Sequence, residues 1–254
     1  MTKKLFIIFS YLLLSRAIYS IGITPTRYLF LSSHNEICEG SFTIVNDHNI
    51  DMPVSVEIQE GIKSIENKKL PSVSQWLKIE KENFVLSPGE KRSINFKVIV
   101  PENTSGTFSA RISFVDKSQQ AFSTSMTVPI YIIVKGTEIV DWTVQELKIK
   151  NTPVGLSGSL TIENNGNVIF HTLGKLVIKD KKGKEVFSTQ AGGGNAVFPN
   201  NKIITPLNVK DLNLKPGKYY AYITLSGYNN ETKNFKFEII KTKDDKYQIK
   251  KLEK

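Results

Sequence analysis

The sequence predicts an all-β protein of two tandem β-sandwiches, and three observations carry that prediction. Short runs of alternating apolar and polar residues recur at intervals of roughly 8–15 residues, separated by clusters of Gly, Pro, Asn, Asp and Ser. No stretch holds the helical apolar period for three turns, so helices are not expected. The runs also fall into two sets that match each other in sequence. Composition agrees with this: of 254 residues, 40% are hydrophobic and 23% charged, and Lys, Asn, Ile, Thr and Ser outnumber strong helix formers.

Taken in order, residues 1–22 are expected to be a cleavable signal peptide. Lys3 and Lys4 make a basic head, and Leu5–Leu14 (LFIIFSYLLL) is an apolar run of ten residues. Small residues follow at Ser20 and Gly22, the two candidate cleavage points. A bilayer-spanning helix needs about 20 apolar residues. No later segment reaches that length, so no integral membrane segment is expected in the mature chain.

Residues 23–136 carry the first set of strands: RYLFL, SFTIV, VSVEI, WLKI, INFKVIV, FSARISF and MTVPIYIIV. Seven short strands in this span match the count of an immunoglobulin-like sandwich of about 100 residues. Within it, FVLSPGEKRSINFKVIVP (84–101) places a Pro-Gly turn between two alternating runs. The linker KGTE (135–138) is short, which predicts a restricted junction and a fixed cleft between the domains. The second set, within residues 137–240, begins at EIVDWTVQELKI and ends at FKFEII; residues 241–254 form a basic tail.

The two sets align at two places. GSFTIVNDHN (40–49) matches GSLTIENNGN (158–167), an offset of 118, and GTFSARISF (106–114) matches GKYYAYITL (217–225), an offset of 111. A duplicated domain accounts for both. LKPGKYYAYI predicts a corner at which the Tyr219 hydroxyl bonds back to the chain entering a late strand. Trp76 and Trp142 are expected to be packing residues, with Trp142 as a wedge at the domain junction.

Chemistry-bearing motifs are sparse. The formal net charge is +10, but the basic residues are scattered rather than striped among stacking aromatics, so nucleic acid is not an expected partner. Cys38 has no second cysteine to bridge and reads as a buried thiol. His34, His48 and His171 read as surface or turn histidines without metal-ligand spacing. AGGGN (191–195) lacks the Lys-Ser/Thr of a phosphate loop and reads as an inter-strand loop. No nucleophile elbow, zinc-protease motif or CxxC occurs. The expectation is a non-enzyme with no cofactor, no metal site and no catalytic residue.

GITPTRYLFLSS, FTIVNDHNIDMPVSVEIQE, WLKIEKENFVLSPGEKRSINFKVIVP and GTFSARISF, read together, resemble the PapD-like periplasmic chaperones of pilus and fimbrial assembly. The resemblance covers about residues 22–134; the second domain agrees in architecture more than in motifs. It implies a chaperone that holds a pilin-like or fimbrial subunit lacking one strand of its own sandwich, with an outer-membrane usher as a further partner. The chaperone lends the last strand of its first domain by β-augmentation. An arginine on the first strand and a lysine on the last strand grip the subunit's terminal carboxylate.

Carried onto this chain, Arg27 takes the arginine position, and AFSTSMTVPIYIIVKG supplies the last strand. Phe122, Thr124, Met126, Val128, Ile130 and Ile132 share one face at period two, and Phe122, Met126, Val128 and Ile130 are the implied donor residues. Two departures stand out. Pro129 occupies the middle of the strand, where the family has its lysine, with the nearest lysine, Lys135, at the strand's end, and the preceding connection, KSQQ, is shorter than the family's usual loop. The expected location is the periplasm, with secretion or the cell surface as the alternative. The rival function is a secreted structural or adhesive envelope protein built of the same immunoglobulin-like domains.

Overall fold

The computed structural model describes residues 21–61, 71–118 and 123–252. The expected leader lies almost wholly outside these residues, as does Phe122. The strands of the first half are β1 (Ile21–Thr24), β2 (Tyr28–Ser32), β3 (Ile37–Asn46), β4 (Met52–Glu60), β5 (Leu77–Ile79), β6 (Asn83–Leu86), β7 (Lys91–Ile99), β8 (Gly106–Asp116) and β9 (Thr124–Val134). Those of the second half are β10 (Trp142–Thr152), β11 (Gly155–Asn164), β12 (Leu173–Asp180), β13 (Glu185–Gly192), β14 (Asn201–Leu207), β15 (Gly217–Ser226), β16 (Thr232–Lys241) and β17 (Tyr247–Leu252). The chain is all-β, as its residue pattern predicts.

Each half is two sheets face to face. The first packs β1-β3-β7-β5 on β2-β9-β8-β4-β6, and the second packs β10-β11-β14 on β13-β12-β15-β16-β17. Alternation dictates which side chains meet between the sheets: β7 buries Ile94, Phe96 and Val98 and turns Lys91, Ser93 and Lys97 outward. The first core gathers Phe42, Ile44, Met52, Leu86 and Ile112, with Phe42 ring-stacked on Phe96 and edge-on to Phe114. The second gathers Trp142, Leu160, Ile162, Leu176, Ile223 and Phe237. Each such side chain contributes about 1.5–3 kcal/mol by leaving water.

The turn in LSPGE does not close a hairpin. β6 pairs with β4 and β7 pairs with β3 and β5, so Pro88-Gly89 carries the chain from one sheet to the other. The chain also changes sheets between β1, which pairs with β3, and β2, which runs parallel to β9. The cis Thr24-Pro25 peptide lies at that crossing.

The sequence repeat is a structural repeat. Asn46 ends β3 with its side chain buried; its Nδ2 donates to Ile50 O (2.9 Å) and Leu86 O (2.9 Å), and its Oδ1 accepts from His48 N–H (2.9 Å). Asn164 ends β11 in the same way, donating to Val168 O (2.8 Å) and Val197 O (3.2 Å) and accepting from Gly166 N–H (2.9 Å). In each half a strand-terminal asparagine satisfies the polar backbone of the loop that follows. The tyrosine corner also forms, with the Tyr219 hydroxyl donating to Lys215 O at 3.0 Å.

Three details differ from the sequence reading. Trp142 is a core residue of the second sandwich, packed on Phe170 and Phe235, and does not wedge the junction. His48 is buried against Asp116 at 3.4 Å rather than lying on the surface, because the NDHN turn folds inward onto β8. Part of the expected tail, Tyr247–Leu252, forms β17 on the edge of the second sandwich: Ile239 pairs with Ile249, and the half-buried Ile249 packs against the second core. Its alternation was masked by neighbouring lysines.

Candidate functional site

The site lies where the two sandwiches meet. Ile133 from β9 packs with Val168 and Ile169 from the second half, flanked by Tyr131, Val140, Phe198 and Tyr228. Polar bonds lock this contact. Thr107 N–H donates to Asn167 O (2.9 Å), and Thr107 Oγ1 accepts from Ile169 N–H (2.9 Å). Asn167 also binds the linker, donating from Nδ2 to Thr137 O (2.8 Å) and accepting from Ile139 N–H at Oδ1 (2.7 Å). Gly106, at φ +77°, permits the approach: a Cβ there would meet Asn167 O at 2.9 Å. The short linker is thus bonded on both sides, which fixes the cleft.

Arg27 sits in this cleft on the segment between β1 and β2. Its Nη1 donates to His171 Nε2 at 3.2 Å. Two hollows flank the pair, one of about 430 Å³ lined by Leu29, Tyr131, Ile169 and Tyr228, the other of about 410 Å³ lined by Thr26, Pro129, Tyr131 and Asn195; Arg27 and His171 line both. No Asp or Glu lines either hollow, and among the described residues no carboxylate pairs with Arg27. Burial pushes the Tyr131 phenol above its ordinary pKa, and the nearby Arg27 charge opposes the rise. The Tyr228 hydroxyl donates to Glu138 Oε1 at 3.3 Å. A larger hollow of about 650 Å³ on the outer side of β5 and β7 has two lysines balanced by two glutamates, Lys78 and Lys97 against Glu39 and Glu80, and so favours no charged ligand.

The open part of β9 leads to Arg27. β8 covers one side of β9 along its whole length, from Thr124 to Val134, whereas β2 covers the other side only from Ile130 to Val134. Thr124–Pro129 therefore keep a bare hydrogen-bonding edge among the described residues. Tyr28 pairs with Ile130, so Arg27, one residue earlier, stands level with Pro129 where the bare edge ends. A proline is tolerated at such an edge because no partner requires its N–H.

The expected donor row divides. Met126 is 38% exposed, but Val128 (2%) and Ile130 (0%) are packed into the first core and are not presented outward. In the chain alone the sandwich closes over β9 from Val128 onward. Lys135 is exposed beyond the paired end of β9, and its N–H is bonded to Ser32 O (2.9 Å). His171 is exposed, as its reading as a surface or turn histidine expects, while its contact with Arg27 leaves no local trace in the sequence; the only signal of Asn167 is its place in the repeated NNGN turn.

No protein-family model and no curated protein matches the chain. Its solved structural neighbours include the class 5 fimbriae chaperone CfaA, with 12% identity, 92% of this chain and 100% of that chain covered, and a TM-score of 0.49. The E. coli chaperone DraB has 16% identity, covers 86% of this chain and 97% of its own, and gives a TM-score of 0.42. The Salmonella enterica SafA pilin–SafB chaperone complex gives 10% identity, 92% and 97% coverage, and a TM-score of 0.43. At these identities the likeness is one of fold.

Proposed function

We propose that this protein is a non-enzymatic periplasmic chaperone that binds and caps incomplete pilin or fimbrial subunits, handing them to an outer-membrane usher. The observation that supports it best is the edge of β9, Thr124–Pro129, which among the described residues is bare and ends beside an Arg27 that no carboxylate pairs with. An unfinished sandwich adds its own strand to that edge through main-chain bonds. Its terminal carboxylate then meets the Arg27 guanidinium, which offers paired donors in carboxylate geometry. Polarity follows from the register. A strand whose C-terminus lies at the Pro129 end runs in the same direction as β9, so the added pairing is parallel. Met126 and Thr124, on the face turned towards the sandwich interior, are the side chains left to enter the partner.

Affinity capture with the tagged mature protein from its native envelope fraction tests this, with Arg27→Ala alongside. The proposal expects a small strand-deficient subunit that is captured by the wild type and lost in the variant. Recovery of envelope components alone, equally in both, refutes it. That second result would support a structural envelope protein, a reading favoured by the burial of Val128 and Ile130 in their own core.

A further inference from the structure

We propose that His171, carried by the second sandwich, is the second carboxylate-holding group of the cleft, and that it takes up a proton as the carboxylate enters. The inference rests on the reading of Arg27 as a terminus anchor. Among the residues lining the two hollows, Arg27 and His171 are the only side chains able to carry positive charge.

The hydrogen bonds fix the starting state. A guanidinium can only donate, so His171 Nε2, 3.2 Å from Arg27 Nη1, is an acceptor and carries no proton. The ring proton is therefore on Nδ1, which donates to Gly194 O at 3.2 Å. The glycine run sets up that acceptor. Gly192, Gly193 and Gly194 have φ values of +75°, +88° and +80°, a succession that side-chain-bearing residues adopt only at a cost, and Gly193 N–H is bonded to Thr172 O. AGGGN is thus the shelf that holds the imidazole in one tautomer with Nε2 facing Arg27.

A carboxylate arriving at Arg27 displaces that acceptor, since it binds a guanidinium more strongly than a neutral imidazole does. A bare Nε2 then faces a carboxylate oxygen, lone pair to lone pair. Uptake of one proton from solvent at Nε2 turns this repulsion into a charge-assisted bond, while Nδ1–H stays on Gly194 O. One N–H bond forms at Nε2 as a hydronium or buffer acid gives up its proton, leaving water or the buffer base, and the ring becomes imidazolium. The titratable or charged groups facing the ring are Arg27 before β2, Tyr131 on β9 and Tyr228 after β15, whose hydroxyl holds Glu138. Neither tyrosine nor arginine changes charge across the imidazole range, and a chain-terminal carboxylate is ionised throughout it. Because the bound state holds one proton more than the free state, affinity falls as pH rises.

The test uses an acetylated hexapeptide of alternating threonine and valine with a free terminal carboxylate, and the same peptide amidated. Isothermal titration from pH 5.5 to 8.5, in two buffers of different protonation enthalpy, reads affinity and proton uptake together. The wild type is expected to prefer the acid, to bind it about tenfold more tightly at the low end, and to take up a proton near neutrality. His171→Gln is expected to flatten the pH profile and abolish the uptake. His171→Lys is expected to restore the acid preference without the pH dependence, a rescue that a purely structural role would not give. An acid preference that needs Arg27 but is unchanged in His171→Gln, with no proton uptake, overturns the inference and leaves the anchor standing. A wild type that does not distinguish acid from amide overturns the anchor itself, and the inference with it.

Discussion

Replacing Asn46 with alanine should destabilise the first sandwich alone, and the matched Asn164→Ala the second alone. Each amide is fully buried and accepts from the N–H two residues on; Asn164 donates to two backbone carbonyls, and Asn46 to two at 2.9 Å and a third, Ser87 O, at 3.1 Å. At about 1 kcal/mol net per bond, and with buried backbone groups left unpaired, each substitution costs about 3 kcal/mol. For a domain of about 100 residues that lowers the melting temperature by roughly 12–20 °C. The chain has two tryptophans. Trp76 packs on Phe108 in the first half, and Trp142 lies in the second core. Thermal fluorescence in Trp76→Phe and Trp142→Phe backgrounds therefore reads each half separately. A loss below about 1 kcal/mol, or Asn46→Ala moving the Trp142 signal as much as the Trp76 signal, would refute the view that the two asparagines are equivalent locks of two separate cores.

Three other outcomes are expected. Asn167→Ala removes two side-chain bonds to the linker while leaving both cores intact, so both melting signals should persist while small-angle scattering shows a broader distribution of domain separations; an unchanged profile would mean the apolar contact alone fixes the cleft. Ile21 is buried (2% exposed) and pairs with Asn46, so cleavage of the proposed leader should leave Ile21 as the first residue by mass spectrometry, and a start at Ile23 would contradict the place of Ile21 in β1. Cys38 is buried, and burial pushes its thiol above the ordinary range. Ellman's reagent at pH 8 should therefore label it only as fast as the first sandwich unfolds; immediate labelling of the native protein would contradict its place in the core.

Much of the fold was legible because sandwich cores impose a period of two on every strand that faces them. INFKVIV and GSLTIEN could hardly be anything else, and the repeated Asn at the end of SFTIVN and SLTIEN marked equivalent turns before any coordinate was known. What escaped was whatever depends on distant packing. Trp142 stands near the junction in sequence, yet its ring turns into the second core. Tyr247–Leu252 looked like a solvated tail because edge strands carry lysines outward, a common protection of exposed edges. The motif around Arg27 suggests it as an anchor, whereas its contact with His171, 144 positions away, leaves no local pattern to read. The alternation that suggested a donor row from Phe122 to Ile130 could not say where the sandwich closes, and it closes at Val128.

The central claim is that a partner strand occupies the bare edge of β9, and hydrogen exchange measures this most directly. Amide exchange, resolved over peptides spanning Thr124–Val134, would be followed in the free protein and in the protein loaded with its captured subunit. The account predicts slowed exchange on loading at the outward-facing amides between Thr124 and Val128, with little change over Ile130–Val134, where β2 already pairs. Unchanged exchange at Thr124–Val128 in a loaded complex would contradict it.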